Sequence, residues 1–172
     1  MARQKLVPGD YYEIPLEAGY SALGQMLSVE KEALNAVACA FWATIEEDPI
    51  SQLGKSPISV LLITPDLIKS GVWKALGNAS ISVPENMRTY EQFRANRWIG
   101  AKVIGSGIVR KFLNAFNGLQ YWDSWANPKY LESLLAPGIP VPREAVFKQA
   151  PNHSMQPTVP LRGPAPDFEG YA

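Results

Sequence analysis

Apolar and polar residues alternate along the first part of the chain, which is the pattern of a strand with one buried face. The alternation runs through residues 10–16, stops at Glu17-Ala18-Gly19, and resumes over residues 20–29. Gly24 lies inside the second segment, where a glycine indicates a bulge or a close packing contact. The pattern therefore predicts a β-hairpin over residues 10–29.

Two further apolar segments also favour strands. Residues 36–44 place Val37, Cys39 and Phe41 on one face, although the alanines of this segment also suit a helix. Residues 58–63 form a short apolar run with β-branched side chains, which is typical of a buried strand. Both segments are expected to extend the sheet that the hairpin begins.

The rest of the chain mixes strand and helix signals. Residues 99–115 contain several β-branched residues and glycines, which predicts one or two more strands. A proline near the start and a glycine after the end predict short helices over residues 65–70 and 128–135. Residues 85–96 fit either a short helix or a loop.

Together these elements predict an α+β fold. Five or six strands with two or three short helices between them favour a predominantly antiparallel sheet or a partly open barrel. The domain is expected to span residues 1–136, because residues 137–172 carry eight of the fifteen prolines. We predict a Pro-rich, semi-extended strap over residues 137–150 and a largely disordered tail over residues 151–172.

Charge changes this picture more than the overall composition does. The 172 residues include 16 basic and 16 acidic side chains, so the formal net charge is zero. Residues 1–66 hold nine acidic and four basic residues, whereas residues 69–111 hold eight basic and two acidic residues. This asymmetry indicates either attraction between two parts of one fold or a charged binding surface.

The segment over residues 88–112 intersperses basic and aromatic side chains, a combination that can bind single-stranded nucleic acid. No known nucleic-acid-binding motif accompanies them, and zero net charge is unusual for such proteins. The simpler interpretation places the aromatic rings in the core, and a small nucleic-acid-binding or regulatory module is the alternative. The basic residues concerned are Arg88, Arg94, Arg97, Lys102, Arg110 and Lys111.

Few side chains could carry catalysis or hold a metal. Cys39 is the only cysteine and lies on an apolar segment, so it is expected to behave as a small core hydrophobe. His153 is the only histidine and has no partners at metal-ligand spacing. Gly105-Ser106-Gly107 lacks the residues of a phosphate-binding loop. We therefore expect neither an enzyme nor a bound metal or cofactor.

Three adjacent acidic residues, Glu46, Glu47 and Asp48, follow the predicted strand over residues 36–44. Adjacent carboxylates are usually solvated, and they do not form the facing pair that glycoside hydrolysis needs. Their functional interpretation is an acidic tip that docks on a basic partner, because complementary charge speeds association and selects partners. These three residues are the predicted partner-binding site.

No targeting or membrane segment is expected. The N-terminal residues lack the apolar core of a signal peptide, and no apolar run approaches the roughly 18 residues of a membrane helix. A single cysteine in 172 residues fits a reducing compartment. The sequence predicts a cytoplasmic protein without a membrane partner.

Several short motifs follow one another along residues 5–135. The first motif is Pro8-Gly9-Asp10-Tyr11-Tyr12-Glu13-Ile14-Pro15-Leu16, and Gly24-Gln25-Met26-Leu27 follows in the second strand. Gly71-Val72-Trp73-Lys74-Ala75-Leu76-Gly77 comes later, and Gly118-Leu119-Gln120 precedes the last predicted helix. This order resembles the bacterial immunity protein 26 family, which opens with a Gly-Asp-aromatic-x-Ile-Pro-Leu strand.

The resemblance implies an immunity protein that binds and neutralises a cognate toxin of a polymorphic toxin system, without catalysis. The residues of the quoted motifs are interpreted as structural, with Gly9, Gly24 and Gly71 in turns or bulges and Trp73 in the core. The Pro-rich tail has no counterpart in that family. The resemblance therefore implies a toxin partner without assigning the surface that contacts it.

Overall fold

The structure, a computed structural model, describes residues 3–148 and 162–163. Within these residues, six strands form one sheet in the spatial order β5-β1-β2-β3-β4-β6. All neighbouring strands are antiparallel except β4 and β6, which are parallel. The predicted α+β fold with a mostly antiparallel sheet is confirmed, and the sheet is open. The strands are β1 (Asp10–Pro15), β2 (Ser21–Glu30), β3 (Ala36–Trp42), β4 (Ser59–Ile63), β5 (Lys74–Asn78) and β6 (Val103–Ile104).

Short helices lie between the strands. The predicted helix over residues 65–70 is present as a single turn, and the segment over residues 128–135 ends in a 3-10 turn. Residues 85–96 form two consecutive stretches of 3-10 helix. The α-helices are α1 (Pro49–Gln52), α2 (Asp66–Lys69) and α3 (Ser106–Phe116), and the 3-10 turns span Glu17–Gly19, Glu85–Met87, Thr89–Asn96 and Leu131–Leu134.

The predicted hairpin over residues 10–29 is formed by β1 and β2, with Tyr12 opposite Gly24. A Cβ at Gly24 would lie 3.1 Å from Ile14 Cδ1 and 3.3 Å from Phe41 Cδ1. Gly24 therefore permits the close packing that the sequence suggested as one of two explanations. The turn glycines Gly9 and Gly71 have positive φ angles of 91° and 79°, as predicted for turns.

The prediction of one or two strands over residues 99–115 is wrong for most of that segment. Only β6 is a strand, and Ser106–Phe116 forms α3. The Ser106 N–H donates to Thr64 Oγ1 at 3.0 Å and so satisfies one N–H group at the start of the helix. Burial recurs at helical spacing, which the β-branched residues and glycines concealed. The buried apolar residues of α3 are Val109, Phe112, Leu113 and Ala115.

Both faces of the sheet are buried at its central strands, whereas the edge strand β5 is exposed. One face packs against α3 and the residues after it, including Leu119, Trp122 and Leu131. The other face packs against Val83, Met87, Tyr90 and Trp98, which lie between β5 and β6. All seven residues of β3 are buried as a result, which explains an apolar run without alternation. Cys39 and Trp73 both lie in the core, as predicted.

The described part of the strap, residues 137–148, contacts the rest of the protein. Val146 is buried, and its C=O accepts the main-chain N–H of Trp122 at 2.8 Å. The Lys148 N–H donates to Asp123 Oδ1 at 2.6 Å. The division into a domain and a tail stays a prediction. His153 and the predicted tail lie outside the described residues, apart from Arg162 and Gly163.

Candidate functional site

The acidic residues predicted as a partner site lie at one end of the sheet. There β1 ends, β2 begins and β3 ends, because neighbouring strands are antiparallel. The Ile45 N–H donates to the Ser21 C=O at 3.0 Å and so joins the loop after β3 to the start of β2. We name this surface the acidic end and define it by Glu13, Glu17, Glu46, Glu47 and Asp48.

Glu46 and Glu47 are both exposed, but different contacts surround them. The Glu46 carboxylate forms an ion pair with Lys55, with 2.8 Å between Nζ and Oε2. Glu47 has no ion-pair partner and no side-chain hydrogen bond within the described part of the chain. The Glu47 charge is therefore the most available of the predicted site.

Asp48 has a structural role as well as a charge. Its carboxylate accepts the Ser51 N–H at 3.1 Å and the Ser51 hydroxyl at 2.6 Å, which caps the start of α1. These hydrogen bonds from Ser51 lower the pKa of the exposed Asp48 carboxyl below its ordinary value. Asp48 is therefore charged at neutral pH, and its position is fixed relative to α1.

The Gln52 side chain fixes the loop that carries Glu46, Glu47 and Asp48. No pattern in the sequence indicated this role. Its side chain is buried, its Nε2 donates to the Thr44 C=O, and its Oε1 accepts the Glu46 N–H at 2.9 Å. Both ends of one amide are thus used to fix the loop that carries the three carboxylates.

Two further acidic residues lie at this end of the sheet, Glu13 near the end of β1 and Glu17 in the connection that follows β1. Glu13 Oε1 accepts the Ser21 hydroxyl at 3.0 Å, and Glu17 Oε1 accepts from Gln120 Nε2 at 2.6 Å. Neither carboxylate forms an ion pair with any described residue. Strand pairing places them at the same end of the sheet as the loop that carries Glu46, so a short sequence window does not reveal them. Carboxylates gathered at one end of a sheet attract basic partners.

The basic residues of the segment over residues 88–112 do not form one open surface. Arg88 forms an ion pair with Glu91 at 3.3 Å, and Arg94 forms one with Glu30 while lying over the Trp98 ring. Tyr90, Trp98 and Phe112 are buried, as the simpler interpretation predicted. These rings are therefore not available to stack on nucleic-acid bases.

The two basic residues on α3 also contact the protein itself. Arg110 Nε donates to the Pro15 C=O at 2.9 Å, and Lys111 Nζ lies 5.6 Å from the centroid of the Trp125 ring. Arg97 and Lys102 are exposed. Four of the six basic residues predicted as a possible nucleic-acid site thus have contacts within the chain.

The side chains with possible chemistry are placed for structure. Burial raises the pKa of the Cys39 thiol far above its ordinary value, so the thiol stays protonated. The buried Ser106 hydroxyl donates to Asp66 Oδ1 at 2.7 Å next to Thr64, at the start of α3. Residues 3–148 and 162–163 contain no group of three or more His, Cys, Asp or Glu side chains that could hold a metal ion.

The chain shows no significant match to models of known protein families, to curated proteins or to solved structures. The resemblance to the immunity protein 26 family thus depends on the motifs quoted above. None of the helices in the described residues has the length and apolar character that crossing a membrane would take.

Proposed function

We propose that this protein is a cytoplasmic immunity protein that binds a cognate bacterial toxin and blocks it without catalysis. The acidic end carries the proposal, because it gathers five carboxylates at one end of the sheet and only one of them, Glu46, forms an ion pair with a described cation. The motif order along residues 5–135 supports the same function. A toxin with a basic binding surface is the partner that fits this charge.

The acidic end is organised before a partner arrives. The Asp48 cap and the two hydrogen bonds of Gln52 fix the loop, so less conformational entropy is lost when the loop is bound. Ile50 lies in α1, directly after this loop, and is 60% exposed. An exposed apolar residue with charged neighbours resembles the centre and rim of a protein interface.

Inhibition in this proposal is stoichiometric. A toxin that cleaves nucleic acid presents basic residues to its substrate's phosphates. The carboxylates of the acidic end compete for those residues, so a bound immunity protein occupies the surface that the substrate needs. No bond is made or broken by the immunity protein, which fits the structural roles of Cys39 and Ser106.

The experiment is to look upstream of the gene for one that encodes a large secreted protein with a C-terminal toxin domain, and to co-express that domain with this protein. We expect restored growth of cells that express the toxin domain, and a one-to-one complex by light scattering after gel filtration. Growth inhibition that persists at full expression of both chains, with no complex formed, would contradict the proposal. The absence of any such neighbouring gene would count against it as well.

A further inference from the structure

An arginine from the C-terminal segment lies against the protein beside the acidic end. The Arg162 guanidinium carbon lies 4.3 Å from the centroid of the Tyr20 ring. The Arg162 N–H donates to the Gly118 C=O at 2.8 Å, and its Nη1 lies 3.4 Å from Asn117 Oδ1. Three different kinds of contact thus hold the main chain and the side chain of one residue.

The amide of Asn117 is fixed in the orientation that accepts a hydrogen bond from a cation. Asn117 is 3% exposed, and its Nδ2 donates to the Ala43 C=O at 2.7 Å and the Leu113 C=O at 2.9 Å. Both donor hydrogens of the amide are used within the protein, which leaves Oδ1 as the acceptor facing Arg162. The acceptor is therefore held in place by the core.

The position of these groups favours positive charge. Asn117 and Gly118 directly follow α3, and the C-terminal end of a helix favours positive charge through the helix dipole. Glu17 belongs to the acidic end and is linked to this place, since its C=O accepts the Tyr20 N–H at 3.1 Å. A flat guanidinium can stack on the ring while it donates to an oxygen, which an ammonium group cannot do equally well.

We propose that Tyr20 and Asn117 form a binding site for an arginine side chain, and that the Gly118 C=O accepts the main-chain N–H of the same arginine. Arg162 occupies this site in the free protein, and an arginine of the toxin replaces it when the toxin binds the acidic end. The replacement rests on the proposed function, whereas the arginine site itself does not. Because Arg162 is tethered, it competes at a high effective concentration and sets the affinity of the partner.

The first test uses the full-length Arg162→Ala variant and a synthetic peptide of residues 158–166, followed by NMR. We expect the peptide to shift the resonances of the Tyr20 ring, the Asn117 side-chain amide and Gly118. A peptide with lysine in place of the arginine should bind about fivefold more weakly, because lysine does not stack as a flat group. The wild-type chain should bind the arginine peptide about tenfold more weakly, since Arg162 fills the site.

Equal binding of the two peptides, or shifts confined to other residues, would overturn the arginine site. The second test measures the affinity of the toxin domain for wild-type and Arg162→Ala chains. Removal of the competing arginine should raise that affinity about threefold to tenfold. An unchanged affinity alongside a normal peptide response would overturn the replacement by the toxin. The peptide test needs no toxin, so its failure is distinct from a failure of the proposed function.

Discussion

The core beneath β1 and β2 differs from the acidic end in what its residues do. Trp73 is fully buried, and its ring meets Phe41 edge-on with 5.9 Å between centroids. The carboxylates of the acidic end lie on exposed loops or at the sheet margin. The motifs that resemble the immunity protein 26 family lie mainly in the core region, whereas Glu46, Glu47 and Asp48 lie outside them. The resemblance therefore bears on the fold, and the partner surface needs a separate test.

The two regions are expected to respond differently to mutation. Core substitutions remove buried apolar contacts and lower the free energy of unfolding by several kcal/mol. Substitutions of exposed charges change the free energy of unfolding by about 0.5 kcal/mol or less unless they remove a cap or a hydrogen bond. Association with a charged partner depends on the surface instead. The following predictions are ordered by the expected size of the effect.

The largest effect is expected from Trp73→Ala. Because the ring is fully buried against Phe41, its removal should lower the free energy of unfolding by about 3–5 kcal/mol. Urea denaturation measures this change. The matched control is Trp125→Ala, since Trp125 is only partly buried and should cost clearly less. A loss below about 1 kcal/mol for Trp73→Ala would show that this core region does not determine stability.

Gly118→Ala tests the junction between α3 and the strap. Gly118 has a φ of 72°, and a Cβ there would lie 2.6 Å from the Glu144 C=O oxygen. Backbone strain and this clash together should lower the free energy of unfolding by about 1–3 kcal/mol and displace the strap. Hydrogen exchange at the Trp122 N–H, which donates to Val146, should become faster. Gly107→Ala is the control, because a Cβ there meets nothing within 4 Å.

Gln52→Ala addresses the support of the acidic loop. The change leaves the Thr44 C=O and the Glu46 N–H without their side-chain partner. The free energy of unfolding should therefore fall by about 1–2 kcal/mol. Because the loop is then less ordered, toxin binding should weaken although no carboxylate is removed. Calorimetry of binding measures this effect. Unchanged affinity in a folded Gln52→Ala chain would show that loop order does not contribute.

The smallest effect concerns the titration of Asp48. Hydrogen bonds from Ser51 lower its pKa, so the folded-state pKa lies below the unfolded value of about 3.9. The stabilising effect of this cap is therefore present above about pH 3.9 and is lost as the pH falls through the folded-state pKa. In Ser51→Ala, the NMR-monitored midpoint of Asp48 should rise toward its ordinary value. An identical midpoint in both chains would show that the Ser51 hydroxyl does not lower the pKa of Asp48.

The hairpin of β1 and β2 and the strands β3 and β4 could be predicted from the sequence, because their apolar residues alternate with polar ones or form an unbroken run. The helix α3 could not, since its β-branched residues and glycines disguised the helical spacing of Val109, Phe112 and Leu113. In α3, tertiary packing therefore overrides the strand preference of the β-branched residues.

The candidate site divides in the same way. Glu46, Glu47 and Asp48 are adjacent in sequence, so their charge could be seen directly. Their neighbours Glu13 and Glu17 come from a different part of the chain, and strand pairing alone brings them together. The contacts of Arg162 with Tyr20 and Asn117 join distant parts of the chain, since Arg162 and Asn117 are 45 positions apart and Tyr20 is farther still. Such contacts leave no local pattern.

The central claim is that the acidic end steers a basic toxin to this protein. Three variants separate charge from structure, since Glu47→Lys changes a carboxylate without an ion-pair partner among the described residues. The test variant reverses Glu46, Glu47 and Asp48 to lysine. The matched control makes the same change in charge at three exposed acidic residues outside the acidic end, namely Glu32, Glu85 and Glu132.

The measurement is the association rate constant with the toxin domain by stopped flow, at low and high salt, for chains shown to be folded by circular dichroism. We expect reversal at the acidic end to slow association at low salt by about tenfold or more, and the difference to shrink as salt screens the charges. Glu47→Lys alone should slow it by a smaller factor, and the control should remain within about twofold of wild type. Equal rate constants for the test and control variants would contradict the account.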